Sequence, residues 1–281
     1  MIRPLIIGAE TDLDRYSKLI AQSKYFGQQQ HLPCNGINVP EIDLSAFSYD
    51  AIFLVTPLNG VMPLFEQAIK LKNNFYFVDQ PSLTRAEIAR VDHLYLESGN
   101  LLFTEIVELE HPLVQDFIST SRSYLMFRYN KSISTTKQVR KTILSALCFL
   151  AILSPMQVKK IDINTIESAD DDRPLFKIRL KMYDSSLAYI TLKLENKNNH
   201  NIMIESPNGS FTFNFSQNFL ENINGIKFKS DPVTEEELQF KTIETFGLHI
   251  ILNNFPKFSF HHYSLSINPL DKILNILQNS F

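Results

Sequence analysis

Runs of strand-forming residues alternate with amphipathic segments over the first hundred residues of the chain. Residues 50–56 are mainly aliphatic and aromatic, and this run predicts a parallel strand that is buried on both faces. Shorter apolar runs predict further strands at 2–7, 75–78 and 101–104. Apolar residues at helical spacing predict helices over 11–23, 62–72 and 84–98. This alternation predicts a Rossmann-like α/β domain with a parallel sheet and right-handed crossovers.

The second strand of such a domain is hard to find in the sequence. Residues 26–45 are irregular and polar and contain proline and glycine, so they predict at most a short strand. The chain between the first helix and Asp50 is also short for a complete strand and helix. We therefore expect the second βα unit to be truncated.

The pattern changes near residue 120, which divides the chain into predicted domains at 1–120 and 121–281. Residues 124–129 alternate like a half-buried strand, and 135–153 form an apolar helix. Five more strand-like segments follow, at 157–166, 175–183, 187–195, 201–206 and 210–215. Helices are predicted at 234–253 and 269–279. These elements predict an α+β domain with an open, mostly antiparallel sheet that is covered on one face.

Composition excludes several classes of protein. The formal net charge is -3, from 27 basic and 30 acidic residues, so the overall field attracts neither nucleic acid nor an anionic membrane. The longest apolar run, 143–153, is too short to span a bilayer. Cys34 and Cys148 are the only cysteines and predict two reduced thiols rather than a disulfide or a zinc site. We expect a cytoplasmic protein.

One stretch carries motifs of a known enzyme family. Residues 50–57 read Asp-Ala-Ile-Phe-Leu-Val-Thr-Pro, close to that family's D-A-V-x-I-A-T-P strand. Residues 79–81 read Asp-Gln-Pro where the family has E-K-P, and 83–87 read Leu-Thr-Arg-Ala-Glu where it has L-T-x-x-E. The sequence therefore resembles the Gfo/Idh/MocA oxidoreductases, named after glucose–fructose oxidoreductase and inositol dehydrogenase. The resemblance is specific over 49–90 and follows the order of elements elsewhere.

The resemblance implies NAD or NADP as cofactor, held at the carboxyl ends of the first strands. The positions that match the cofactor-binding part of the family are Gly8, Ala9, Glu10, Thr56, Pro57, Asn59 and Asp79. Open α/β sheets bind ligands at this edge, so several of these residues could also line a small residual pocket. We expect no metal ion, because no group of ligands has a suitable spacing; the adjacent His261 and His262, interpreted as strand residues, would point to opposite faces.

The first turn departs from the family pattern. The family has G-x-G-x-x-G there, whereas this chain has Gly8 followed by Ala9 and Glu10, and the second and third glycines are absent. Glu10 and Asp12 instead bring carboxylates to the positive end of a helix, where a pyrophosphate would bind. One interpretation is that these acids cap their own helix, with Thr11 or Asp12 as the N-cap. The other is that the cofactor binds to an unusual turn.

The catalytic residues of the family are also replaced in this chain. Gln80 stands at the position of the family's lysine, and an amide has no proton to transfer. The family's Asp and His should lie on helix 135–153, where the only polar or reactive residues of the inner part are Ser145 and Cys148. The sequence therefore predicts no catalytic residue, and Gln80 only marks the position of the family's lysine.

Three functions are compatible with these observations. The first is a divergent family member with impaired or lost dehydrogenase chemistry that acts by binding or assembly, with a small molecule or a protein as partner. The alternative is an active NAD(P)-dependent oxidoreductase with unusual cofactor recognition that takes a sugar, a polyol or a similar small hydroxy or carbonyl substrate. The third is a purely structural subunit that pairs with an active homologue. Charged residues alternate along 175–183 and 187–195, so we expect this sheet face to be polar and the protein to be a monomer or a homodimer.

Overall fold

The computed structural model of the 281-residue chain describes most of its length in two compact units. The described residues are 1–34, 42–56, 58, 60–78, 83–112, 114–115, 125–136, 138–153, 157–168, 171–195, 199–206, 209–217, 219–222, 227–229, 231, 233–256 and 260–278. The first unit is Met1–Val107 with Glu235–Ser264, and the second is Glu108–Thr234 with Leu265–Phe281. The division at residue 120 that the sequence predicts lies within 116–124, outside the described residues, and stays a prediction.

The helices and strands are numbered along the chain. The helices are α1 (Glu10–Gln22), α2 (Met62–Lys70), α3 (Arg85–Ser98), α4 (Gln138–Leu153), α5 (Glu235–Leu252) and α6 (Phe260–Gln278). The strands are β1 (Pro4–Gly8), β2 (Gln30–Pro33), β3 (Ala51–Leu54), β4 (Asn74–Phe77), β5 (Leu102–Thr104), β6 (Met126–Ile133), β7 (Val158–Ser168), β8 (Asp171–Met182), β9 (Leu187–Leu194), β10 (His200–Ser206), β11 (Gly209–Asn214), β12 (Phe219–Asn222) and β13 (Lys227–Lys229). Short 3-10 helices occupy Leu44–Ala46 and Val107–Glu110.

The first unit contains the expected parallel sheet. Its described strands run in the order β2-β1-β3-β4-β5, and every pairing is parallel. The second strand exists but has only four residues, in agreement with a shortened second βα unit. The helix predicted over 84–98 begins with a capping box, in which Thr84 and Glu87 exchange side-chain and backbone hydrogen bonds at the start of α3. The predicted Rossmann-like architecture is confirmed.

An aromatic core joins α5 to one face of this sheet. Phe246 of α5 packs against Phe53 and Tyr76 with ring centroids 5.4 and 5.3 Å apart, and against Phe103 at 5.8 Å. All four rings are buried. Because a buried ring removes a large apolar area from water, this cluster stabilises the contact of a late helix with an early sheet.

The second unit is built on an open sheet. Its eight described strands run in the order β13-β12-β11-β10-β6-β9-β8-β7. Neighbouring strands are antiparallel except for β6 and β9, which are parallel. Helix α4 packs on β6 and β9, and its residues from Thr142 to Ala151 are all buried. The expected mostly antiparallel sheet is confirmed, whereas β12 and β13 are strands that the sequence pattern did not predict.

The last helix begins earlier than its pattern predicts. Helix α6 starts at Phe260 rather than Pro269, and Pro269 lies inside it. Phe260 and Tyr263 both pack edge-on against Phe77, with centroids 5.4 and 5.6 Å apart, and this burial stabilises the first turn of the helix. His261 and His262 therefore lie on a helix, and the expectation that they belong to a strand was wrong.

Candidate functional site

The carboxyl edge of the parallel sheet brings together part of the expected site. Strand β1 ends at Gly8, β3 is followed by Val55 and Thr56, and β5 is followed by Glu105. Parallel strands align their carboxyl ends, and ligands of open α/β sheets bind at that edge. Pro57, Asn59, Asp79 and Gln80, which the sequence also assigned to the site, lie outside the described residues.

Gly8 is required by the packing of two strands. A Cβ atom on Gly8 would lie 2.7 Å from both Thr56 Oγ1 and Val55 Cγ2, closer than real Cβ contacts. The end of β3 therefore occupies the space beside Gly8. The absence of a side chain at residue 8 therefore allows β1 to approach Val55 and Thr56 closely.

A short hydrogen-bond chain occupies the turn between β1 and α1. The backbone N–H of Ala9 donates to Thr56 Oγ1 over 2.8 Å, and the Thr56 hydroxyl donates to Asp12 Oδ2 over 2.5 Å. Thr56 uses its single proton for Asp12 and a lone pair for Ala9, so its orientation is fixed by both contacts. The backbone N–H of Ala9, the first of the turn, is therefore already hydrogen-bonded within the protein.

Helix α1 is not capped by its own side chains, which differs from one of our expectations. Its N-cap is Ala9, which has no side-chain cap, so neither Thr11 nor Asp12 is the N-cap. Glu10, which is exposed, and Asp12 lie in the first turn, where the helix dipole stabilises negative charge. A phosphate at the same helix end would lie close to these carboxylates and be repelled by them.

The position after β2 carries a thiol. Cys34 is buried, its backbone N–H donates to the Gly8 carbonyl over 2.8 Å, and burial raises the pKa of the thiol. The family reads the ribose of its cofactor with a charged residue after the second strand. Cys34 supplies neither a carboxylate for the ribose hydroxyls nor a cation for a 2′-phosphate, and residues 35–41 lie outside the described part of the chain.

Glu105 forms a buried polar network that the sequence analysis missed. Its carboxylate accepts hydrogen bonds from the Tyr16 hydroxyl (2.9 Å), the Tyr76 hydroxyl (2.7 Å) and Gln239 Nε2 (3.2 Å). Gln239 in turn accepts from the Arg15 guanidinium. Desolvation, followed by the Glu105 charge, raises the pKa of Tyr16 far above its ordinary value, so the phenol stays protonated and donating. The network links α1, β4 and α5 through one carboxylate.

Helix α4 offers no reactive group. Ser145 and Cys148 are both buried, and Cys148 is fully so. Burial raises the pKa of the Cys148 thiol to about 12, although a hydrogen bond with Ser266 opposes the shift. A thiol that stays protonated at neutral pH is a poor nucleophile and a poor metal ligand.

The second unit contains a buried cluster of titratable residues. Lys131 and Glu108 form an ion pair of 2.8 Å, and His200 lies beside Lys131 in the strand register. Phe215 stacks on the His200 ring with centroids 4.3 Å apart. Desolvation and then the Lys131 charge lower the pKa of His200 to about 3. Burial by itself raises the pKa of Glu108, but the charge of Lys131 outweighs this effect and the pKa falls to about 2. At neutral pH the His200 ring is uncharged, and with this low pKa it does not act as a general acid or base near pH 7.

The described residues hold no metal-binding group of three or more His, Cys, Asp or Glu side chains. His261 pairs with Asp92, at 2.9 Å between Nδ1 and Oδ2, which joins α6 to α3. No helix in the described part of the chain is long and apolar enough to cross a membrane.

Comparison with known proteins finds similarity only at the level of structure. No family model and no curated protein sequence matches the chain. UDP-N-acetylglucosamine 3-dehydrogenase GnnA from Acidithiobacillus ferrooxidans superposes with a TM-score of 0.77 at 13% identity, over 97% of this chain and 96% of that chain. The dehydrogenase MviM from Clostridium difficile gives 0.71 at 14% identity, over 98% and 99% of the two chains. The 3-ketoreductase KijD10 from Actinomadura kijaniata, solved in complex with NADP, gives 0.64 at 15% identity over 96% of each chain.

These neighbours are Gfo/Idh/MocA-type oxidoreductases. The similarity extends over nearly the full length of both partners in each comparison. It therefore confirms the expected two-part fold, the parallel Rossmann-like sheet followed by the open sheet. Identities of 13–15% show the fold and do not assign an activity.

Proposed function

We propose that this protein is a divergent relative of the Gfo/Idh/MocA-type oxidoreductases that has lost dehydrogenase chemistry and acts by binding or assembly. The observation that carries the proposal is the hydrogen-bond chain from Ala9 through Thr56 to Asp12. In a dinucleotide-binding turn the backbone amides donate to the pyrophosphate. Here the Ala9 amide donates to Thr56 instead.

Electrostatics acts in the same direction as this hydrogen-bond chain. A pyrophosphate at the start of α1 would lie beside the Asp12 carboxylate and near Glu10, without the second and third glycines that let the backbone approach it. Binding would require the Ala9–Thr56 hydrogen bond to break and two acids to tolerate an adjacent anion. Both requirements lower the affinity for NAD and NADP.

The chemical step lacks its usual groups as well. Gln80 replaces the lysine of the resembled family, and its amide neither carries charge nor transfers a proton. Ser145 and Cys148 on α4 are buried, and the Cys148 thiol is protonated. General acid–base catalysis and electrostatic stabilisation each contribute orders of magnitude to rate, so the loss of both leaves little activity.

A second candidate function is an active NAD(P)-dependent oxidoreductase with unusual cofactor recognition, acting on a sugar, a polyol or a similar hydroxy or carbonyl compound. The observation in its favour is the full-length fold similarity to reductases such as KijD10, which was solved with NADP. In this case NAD or NADP would bind along the edge at Gly8, Ala9, Glu10 and Thr56 after the turn rearranges. The residues near Gln80 would then contact the substrate.

A nucleotide-linked absorbance assay separates the two candidates. Purified protein is incubated with NAD, NADP or their reduced forms and a panel of sugars, polyols and hydroxy acids. We expect no turnover above the blank for the wild type, and none for Gln80→Lys, because residues that act as a unit are not restored singly. Turnover by the wild type that Gln80→Ala abolishes would overturn the proposal and make residue 80 part of an active site.

A further inference from the structure

The C-terminal end of α5 carries a cluster of exposed apolar side chains. Leu248, Ile251 and Leu252 lie on one face of its last two turns, because residues three and four apart are neighbours on a helix. Phe255, which is also exposed, follows the end of the helix. We call these four residues the α5 patch. They are four of the eleven exposed large apolar side chains of the described residues, and no other element among those residues carries more than two.

The inner face of α5 fixes the direction in which the patch points. Phe246 belongs to the aromatic core of the first unit, and the next residue, Gly247, lies directly against Tyr25. A Cβ atom on Gly247 would lie 2.8 Å from the Cβ atom of Tyr25, so the helix cannot approach this segment more closely. Rotation of α5 would lose these contacts. The patch is therefore held outward by the packing of the opposite face.

The C-terminal cap of α5 keeps Phe255 at the same end of the helix. The backbone N–H of Asn253 donates to the carbonyl of Ile250, and that of Asn254 donates to the carbonyl of His249. Asn253 has a φ of 49°, the left-handed conformation that ends many helices. These two hydrogen bonds turn the chain back beside the last turn. Phe255 therefore extends the apolar surface of that turn.

No formal charge interrupts the patch. Residues 245–256 contain no Lys, Arg, Asp or Glu, although these residue types make up 20% of the chain. The His249 ring and the Asn254 side chain are hydrogen-bonded to each other, so the polar groups at this helix end already have a partner. An uncharged apolar surface is complementary to a copy of itself, whereas an acidic or basic partner finds no opposite charge there.

A lipid surface fits the patch less well than a second copy does. Helices that bind to membrane surfaces combine an apolar face with a polar face rich in Lys and Arg. The charged residues of α5 are four Glu and one Lys, and three of the Glu lie in its first turn. Anionic headgroups would be repelled by this excess of negative charge.

The area of the patch suits a two-fold dimer. The exposed fractions of its four side chains are 38, 57, 56 and 50%, which leaves about 400 Å² of apolar surface in contact with water. A standard interface buries about 1,600 Å² in total, of which about 1,000 Å² is apolar in homodimers. Two copies of the patch contribute about 800 Å², which is most of the apolar area that a stable dimer needs.

We propose that two copies of this protein form a two-fold dimer through the α5 patch. In such an interface the same residues of both copies pack against each other across the axis. The inference rests on the assembly part of the proposed function and gives it a surface. The loss of dehydrogenase chemistry is measured by turnover, so the two can fail separately.

Sedimentation equilibrium of the full-length protein tests the proposal. Between about 1 and 100 µM we expect a reversible dimer with a dissociation constant in the micromolar range. In the double variant Ile251→Asp, Leu252→Asp the constant should rise by at least about a hundredfold, because two-fold symmetry brings four carboxylates into the apolar contact. The matched control changes Leu71 and Leu96, exposed residues at the end of α2 and on α3, to Asp, and should dimerise like the wild type. Circular dichroism verifies that all variants are folded.

Cross-linking identifies the surface independently of the acidic variant. The two cysteines of the chain, Cys34 and Cys148, are buried, so a new cysteine in Ile251→Cys is the accessible thiol. With a short bis-maleimide we expect a covalent dimer of Ile251→Cys. Leu96→Cys, whose thiol would be equally exposed on α3, should stay monomeric under the same conditions.

Four outcomes would overturn the proposal. The first is a wild-type protein that stays monomeric at about 100 µM. The second is a dimer that persists unchanged in the Ile251→Asp, Leu252→Asp variant, and the third is an equal loss in this variant and in the control. The fourth is a monomer that co-sediments with phosphatidylcholine vesicles and loses this binding in the Ile251→Asp, Leu252→Asp variant, which would identify lipid as the occupant.

Discussion

Replacing Glu105 by leucine is expected to destabilise the protein by about 3–5 kcal/mol, because it removes the shared acceptor of a buried network. The Tyr16 and Tyr76 hydroxyls and the Gln239 amide would each lose their hydrogen bond to the carboxylate in a region from which water is excluded. The measurement is urea unfolding followed by circular dichroism, since the chain has no tryptophan.

Two variants show whether the network itself is the cause. In the triple variant Glu105→Leu, Tyr16→Phe, Tyr76→Phe most of the loss should be recovered, because the acceptor and both phenolic donors are removed together. Glu66, which pairs with Arg90 over 2.8 Å at the surface, is the matched control, and Glu66→Leu should cost less than about 1 kcal/mol. A cost of Glu105→Leu similar to that control would contradict the assignment of the network as a stabilising centre.

The His200→Phe variant is expected to resist acid better than the wild type. Burial and then the Lys131 charge lower the folded-state pKa of His200 to about 3, below its ordinary value of 6.5. Between about pH 3 and pH 6.5 the unfolded chain therefore binds a proton at His200 that the folded protein does not bind. The contribution of neutral His200 to the free energy of unfolding is complete above pH 6.5 and is lost as the pH falls below it. The slope is about 1.4 kcal/mol per pH unit, so the variant should gain about 2–3 kcal/mol relative to the wild type at about pH 4.5.

The comparison isolates His200 because Lys131, Glu108 and His111 are present in both proteins. Phenylalanine keeps a ring to stack on Phe215 and removes only the titrating nitrogens. The matched control replaces the exposed His93 by Phe, which measures the effect of a His-to-Phe change outside the buried cluster. Parallel stability curves for the wild type and His200→Phe between about pH 4 and 7 would show that His200 is not held neutral by its surroundings.

The parts of the fold that the sequence predicted are those that local patterns encode. The apolar run before Thr56 became β3, and Thr84 with Glu87 formed the capping box that starts α3. Each depends on residues close together in the chain. The four-residue β2 was at the limit of detection, because Gln30–Pro33 is short, has a single aliphatic residue and ends in proline. These residues gain their strand conformation from pairing with β1.

The parts that escaped prediction depend on contacts distant in sequence. Helix α6 continues back through Pro269 to Phe260 because Phe260 and Tyr263 pack on Phe77, almost two hundred residues earlier. Glu105 carries no local signal, and its role becomes visible only when Tyr16, Tyr76 and Gln239 converge on it.

The sequence assigned Gly8, Ala9 and Thr56 to the carboxyl edge of the parallel sheet, and the structure brings these three residues together. The loss of glycines after Gly8 already indicated a poor phosphate-binding turn. The sequence did not reveal that Thr56 would accept the Ala9 amide and donate to Asp12, since that contact joins residues on different strands and helices. It is this contact, rather than a self-capped helix, that closes the turn.

The affinity for nicotinamide nucleotides tests the central claim most directly. Calorimetric titration of the wild type with NADH and with NADPH, at nucleotide concentrations up to about 1 mM, measures whether the turn between β1 and α1 accepts a pyrophosphate. Because the Ala9 amide is bound by Thr56 and carboxylates occupy the first turn of α1, we predict no saturable binding in this range. Saturable binding of either nucleotide with a dissociation constant in the micromolar range would contradict the account.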